Sequence, residues 1–302
     1  LKESIFVNEF SLLTYLGGSV IALFVGFLTG IFGVGGGFLI TPALMILLGI
    51  PGPIAVGTGL AVMLANSSWG IIKRRNTGTI DVKLALSLAS GSVIGVLIGV
   101  FFMKLLKKMH PLVILGKEQN AVQYILLWLF LFLLICIIGV LVFDLNLKNR
   151  QGSERRIGLL SRMKIPPYVR LSSLDEPEFS LTILAGLGLS VGILTGLLGV
   201  GGGVIILPAL VYLVGQRTVK AAGTSLLLVW ISSLFGVVMH ATEGNVNLYL
   251  LGTMLVGGLL GTNFGTIVGL KLAGVKIRYY FIWVVILAVI MIGMKIGILT
   301  FS

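Results

Sequence analysis

Two short glycine runs carry the residues best suited to chemistry. Gly33, Gly35, Gly36 and Gly37 stand in GVGGG at 33–37, and Gly199, Gly201, Gly202 and Gly203 stand in an identical GVGGG at 199–203. Glycine has no Cβ, so a ligand can reach the main chain there and unusual dihedrals are open to it. Each run leads into an apolar segment. A helix begun at Gly37 or Gly203 starts with amides that lack an intrahelical acceptor, and its N-terminus carries roughly half a positive charge. Together these features suit an anion held by backbone N–H groups rather than by Lys or Arg. Three successive glycines weaken a helix by about 1 kcal/mol each relative to alanine, a cost that close packing alone does not require. Packing is the rival reading of the two runs.

The runs belong to a duplication. Residues 26–44 (GFLTGIFGVGGGFLITPAL) and 192–210 (GILTGLLGVGGGVIILPAL) agree at thirteen of nineteen positions, at an offset of 166. The same offset pairs Gly78 with Gly244, and Gly91, Gly95 and Gly99 with Gly257, Gly261 and Gly265. It also pairs Thr58 with Thr224, Gly59 with Ser225, Asn66 with Ser232 and Ser67 with Ser233. On helices these positions lie one or two turns apart, so Thr58, Thr224, Ser225, Asn66 and Ser232 are candidates to line a path to the glycine runs. Interhelical hydrogen bonding explains them equally well. The Gly-xxx-Gly spacings of 91–99 and 257–269 read as close helix contacts, and Asn263 reads as another. His240 ends its apolar run and reads as a solvated interface histidine. Lys295 reads as a snorkelling lysine.

The elements that must position these residues follow from composition. Charged residues are 11% of the 302, against 57% hydrophobic, where a soluble domain carries roughly 25% charged. This predicts an all-α, polytopic membrane protein, with residues 1–302 forming one membrane domain. Apolar runs occur five to a half, near 11–33, 37–49, 54–72, 82–106 and 121–143, then 179–199, 203–215, 221–240, 247–270 and 279–299. Eight approach the ~20 residues that span a bilayer. Phe38–Leu48 and Val204–Val214 do not, so each is expected to be one part of a discontinuous pair broken at the glycines, with Pro42 and Pro208 near its start. Backbone at that depth must be buried in protein or line a wet cavity. Ten crossings place sixteen basic residues on one side and five on the other. The positive-inside rule then puts both termini outside and the basic linker 144–178 in the cytoplasm. With five crossings per half, repeat two (179–300) is inverted relative to repeat one (11–143), which is the arrangement of many transporters.

Other function classes find little support. The net charge of +12 reads as loop charge on one membrane face, not as nucleic-acid binding. GVGGG lacks the preceding strand of a nucleotide loop. Cys136 stands alone, and no His, Cys, Asp or Glu cluster has metal-ligand spacing, so no cofactor or metal is expected. No paired carboxylates, Cys–His pair or serine elbow suggests an enzyme. The duplicated GhhxGhhGhGGGhhhhP pattern (h apolar), followed in each half by a Gly- and Thr/Ser-rich helix, resembles the sulfite exporter TauE/SafE family of membrane anion transporters. The resemblance spans 11–143 and 179–300. It implies substrates such as sulfite, sulfoacetate, thiosulfate or related organic acids, and points to both GVGGG runs with Pro42 and Pro208. The expected function is therefore transport of a small anion across the cell membrane, by alternating access to a site between the runs. The alternatives are an anion channel on the same fold, or a scaffold or sensor acting through 144–178. Oligomeric state is not legible.

Overall fold

The computed structural model describes residues 10–114, 117–148, 165–171, 178–272 and 274–301. Most of the 144–178 linker therefore lies outside the described residues. The first half contains α1 (Leu12–Phe32), α2 (Gly37–Leu47), α3 (Gly52–Arg74), α4 (Val82–Leu106) and α5 (Ala121–Lys148). The second contains α6 (Leu181–Leu198), α7 (Gly203–Pro208), α8 (Thr218–Thr242), α9 (Leu248–Lys271) and α10 (Gly274–Phe301). Strand among the described residues is confined to two antiparallel pairs, β1 (Leu112–Ile114) with β2 (Lys117–Gln119), and β3 (Tyr168–Arg170) with β4 (Glu178–Ser180). Among the described residues eight helices are long and apolar enough to cross a membrane, and α2 and Gly203–Val214 are the short pair. The chain is an all-α, multi-pass membrane protein.

Local chemistry sets the helix ends. Asp81 and Asn247, 166 apart, cap α4 and α9 by accepting from the amides of Leu84 and Leu250, which satisfies one orphan donor at each start. Gly33 and Gly199 end α1 and α6 in the left-handed conformation, and each amide donates to a threonine carbonyl one turn back, of Thr29 and Thr195. The two prolines act differently. α2 runs through Pro42 to Leu47. α7 ends at Pro208 and opens into a π-helical turn over Ala209–Val214. A proline has no N–H and crowds the carbonyl four residues back, and a locally widened helix relieves that crowding.

The helices pair across the halves. α1 lies along α9 and α4 along α6, both in parallel. Gly257, Gly261 and Gly265 sit on the carbonyls of Ser19, Leu23 and Phe27, so closely that a Cβ would strike them. Gly91, Gly95 and Gly99 sit likewise on Ala185, Leu189 and Ile193. The expected helix-packing role of these spacings is what the structure contains. α3 and α8 cross at the centre in opposite directions, with Leu60 over Gly236 and Leu226 over Gly70. Each half thus repeats the contacts of the other with the helices exchanged.

The glycine break does not simply interrupt a spanning helix. α2 folds back along α1, with Leu48 against Gly17 and Gly36 against Val25 and Thr29. It is also antiparallel to α3, where Ile40 and Thr41 cover Gly59. α1, α2 and α3 therefore alternate in direction, and so do α6, α7 and α8. At one end of the bundle Asp81 and Gln216 meet at Thr224. At the other Lys104 pairs with Glu243 at 2.8 Å and Lys107 reaches Asn245. The hydrogen bond from Lys104 holds the Glu243 carboxyl below its usual range, outweighing the opposing effect of burial. α5 and α10 pack together at the periphery and leave Phe132, Ile135, Trp283, Leu287 and Ile290 exposed, as lipid-facing residues must be.

Candidate functional site

The two GVGGG runs meet in the core. A Cβ on Gly37 would fall on the carbonyl oxygen of Gly199, and one on Gly203 on the carbonyl of Val34. All ten residues of the two runs are buried. Gly33, Gly35 and Gly36 have φ of 69°, 75° and 77°, and Gly199, Gly201 and Gly202 have 67°, 66° and 72°. A residue with a Cβ rarely takes that conformation, so these turns need glycine before any ligand is considered.

The helix starts repeat one another. The amides of Leu39 and Ile40 both donate to Gly36 O, and those of Ile205 and Ile206 both to Gly202 O. The first amides of each helix, on Gly37 and Phe38 and on Gly203 and Val204, have no protein acceptor among the described residues. α2 and α7 start at a common depth and run apart, so their positive ends face inward together. Among the described residues no carboxylate is buried with them. This arrangement can stabilise negative charge.

The carbonyls of the breaks are anchored by different residues in the two halves. Ser225 Oγ donates to Gly33 O at 2.5 Å, from α8. Its counterpart Gly59 has no side chain. Gly199 O instead accepts from Thr41 Oγ1 of α2 at 3.4 Å, a position held by Leu207 in the second half. Ser225 is thus brought to the breaks. Thr41 was not singled out from sequence, because its partner in the duplication is apolar.

The remaining candidates lie elsewhere. Thr58 Oγ1 accepts from the Asn247 amide at 3.0 Å, and Thr224 Oγ1 from the Asp81 amide at 3.1 Å and from Gln216 Nε2 at 3.2 Å. This matched pair holds the start of α9 and of α4. Thr58→Val is expected to cost about 1–3 kcal/mol by leaving a buried amide unpaired, read as a shift in the unfolding midpoint. An unchanged midpoint would return Thr58 to the path. Ser232 Oγ bonds Ser92 Oγ at 2.8 Å, and Ser67 Oγ donates to Met63 O at 2.7 Å. Asn66 is fully buried against Gly258, and neither amide atom has a partner. Asn263 accepts from Trp69 Nε1 at 3.4 Å, a helix contact.

One expectation is overturned. His240 is not solvated but fully buried. Its Nε2 donates to Gly196 O at 2.9 Å, and Nδ1 accepts from Asn245 Nδ2 at 3.0 Å. The α4–α6 pair and the α8–α9 turn close over the end of the helix, so a terminal position in the run does not mean exposure.

The residue pattern described as "Sulfite exporter TauE/SafE" matches residues 19–292. The chain belongs to the TauE/SafE family. It is similar to "Probable membrane transporter protein YjnA" of Bacillus subtilis, 28% identical over 82% of this chain and 87% of the relative. A "Probable membrane transporter protein" of Xylella fastidiosa is 26% identical over 83% and 84%. YunE of Bacillus subtilis, of the same description, is 25% identical over 84% and 88%. No solved structure matches the chain significantly. This TauE/SafE member is a membrane transporter, not an enzyme, and the matched span contains both glycine breaks.

Proposed function

We propose that the protein carries a small oxyanion, of the sulfite, sulfoacetate, thiosulfate or organic-acid class, across the cell membrane. The site is the pair of glycine breaks, opened alternately to the two sides. One observation carries this reading: the breaks that bear the unpaired amides of Gly37, Phe38, Gly203 and Val204 pack on one another in the core, with no buried carboxylate among the described residues. A strong site for a divalent cation at that depth would call for acidic ligands. The end bearing Arg75, Lys83, Arg217 and Lys220 faces the cytoplasm by the positive-inside rule, which leaves both termini outside and makes the second repeat inverted. For an exported anion the inside-negative potential supplies about 2.3 kcal/mol per charge per 100 mV, so no coupling ion is required.

The moving parts are not the two sequence halves. Rocking one half against the other would unzip the glycine contacts of α1 with α9 and of α4 with α6. These cross-half pairs are the natural rigid bodies, and the α1–α2 and α6–α7 breaks shift with them around the α3–α8 crossing. The test is counterflow in proteoliposomes with labelled sulfite, thiosulfate, sulfoacetate and simple carboxylates. Saturable exchange accelerated by anion on the far side is expected. A non-saturable conductance with no counterflow would replace the carrier by a channel, and no flux of any of these anions would reject the reading.

A further inference from the structure

The duplication makes one buried arginine conspicuous. Arg74 in α3 is the counterpart of His240 in α8, and both do the same thing. Arg74 Nη2 donates to Gly30 O at 2.8 Å, and His240 Nε2 to Gly196 O at 2.9 Å. Gly30 and Gly196 are also counterparts, each in the last turn before a glycine break. The two sites differ in what is left over. His240 uses its second nitrogen on Asn245. Arg74 is 1% exposed, and its Nε has no partner.

The same imbalance recurs along the junction of α1, α3 and α9. Asn66 has two unpartnered amide atoms and faces Gly258. At the equivalent place in the other half, Ser232 and Ser92 bond each other. The Thr262 hydroxyl is fully buried without a partner, and its counterpart is Val96. Gly30 ties the set together: α9 touches it at Thr262 O, and Arg74 bonds its carbonyl. Gly26 touches Gly258 beside Asn66. Unpartnered polar atoms therefore run from the basic end of the bundle to within a turn of the first break. The equivalent positions in the second half are satisfied or apolar.

A buried guanidinium without a counter-ion is costly, and each orphaned buried polar atom needs a reason. Three of the four orphaned atoms here can donate, Arg74 Nε, the Thr262 hydroxyl and Asn66 Nδ2, and the fourth, Asn66 Oδ1, accepts. We propose that the α1–α3–α9 junction is a second oxyanion site, on the basic side of the glycine breaks, with Arg74 as its charged member. An oxyanion supplies both the missing charge and the missing acceptors. The anion class rests on the carrier reading above; the position rests on the orphaned donors.

The test is binding rather than transport. Equilibrium dialysis of the purified full chain with labelled sulfite is run beside thermal unfolding with and without sulfite. Arg74→Gln is expected to weaken binding about thirtyfold. Thr262→Val and Asn66→Ala each weaken it about fivefold. Arg75→Gln, which removes an exposed charge at the next residue, leaves it unchanged. Gly203→Ala blocks exchange yet still binds sulfite at this second site. Should Arg74→Gln fail to fold, the two neutral variants decide. Unaltered binding in the folded variants overturns the junction site alone. No binding of sulfite, thiosulfate or carboxylate by the native protein overturns both the site and the carrier.

Discussion

Gly203→Ala is expected to cut anion exchange about a hundredfold, the penalty for displacing a working group by an ångström, while Gly252→Ala leaves exchange at the native rate. Gly203 is helical and does not need a left-handed backbone, so the added methyl acts through space alone. That methyl would land on the main chain of Val34, and neither side can give cheaply. Ser225 anchors the Gly33 carbonyl and Thr41 the Gly199 carbonyl, so the methyl must force the two breaks apart. The helix starts at Gly37 and Gly203 are then no longer held together. Gly252 is also helical but has nothing near its missing Cβ, and alanine there gains about 1 kcal/mol of helix propensity. Valine at Gly36 or Gly202 would be a poorer probe, because strain at φ of 77° and 72° would threaten the fold as well as the site. Counterflow per folded molecule, normalised by size-exclusion in detergent, reads the result. Native exchange by Gly203→Ala would mean the breaks need not touch.

Much of this geometry is legible in the chain because duplication gives every position a second witness. The two breaks, the eight long helices, the short pair and the packing glycines all follow from local pattern and the 166-residue offset. What the offset cannot reveal is contact. It equates α1 with α6 and α4 with α9, yet the physical partners are α1 with α9 and α4 with α6, and nothing in the spacing of Gly257, Gly261 and Gly265 names Ser19, Leu23 and Phe27. The fold-back of α2 was also hidden. Eleven apolar residues after a glycine break can continue a crossing or reverse it, and left-handed dihedrals at three glycines of each run decide that. Thr58 and Thr224 read as a path because they are a matched polar pair, and the structure gives each hydroxyl a backbone amide to hold. Their amide partners, Asp81 and Asn247, are matched too, and that second match marks a repeated cap. The equivalence of Arg74 and His240 escaped notice for the opposite reason. They share a role but not a residue type, so identity at the offset passes over them.

Gly95→Leu and its counterpart Gly261→Leu are expected to remove folded protein from the membrane, whereas Gly139→Leu is tolerated. At Gly95 a Cβ would meet Leu189 O, with Ile193 N at 2.8 Å and Gly192 Cα at 3.0 Å. All three are backbone, so no rotamer change can make room, and a leucine would drive α4 off α6. In a bilayer helices gain nothing by hiding apolar side chains from one another, because lipid is equally apolar; close contact of small residues is what holds them together. Losing one contact therefore loosens the neighbouring ones, Gly91 on Ala185 and Gly99 on Ile193, along the same face. Gly139, on α5, has open space around its missing Cβ. Recovery of monodisperse protein after detergent extraction gives the readout. If Gly95→Leu came out monodisperse and exchanged anion normally, α4 and α6 could not move as one body, and alternation would have to return to rocking of the sequence halves.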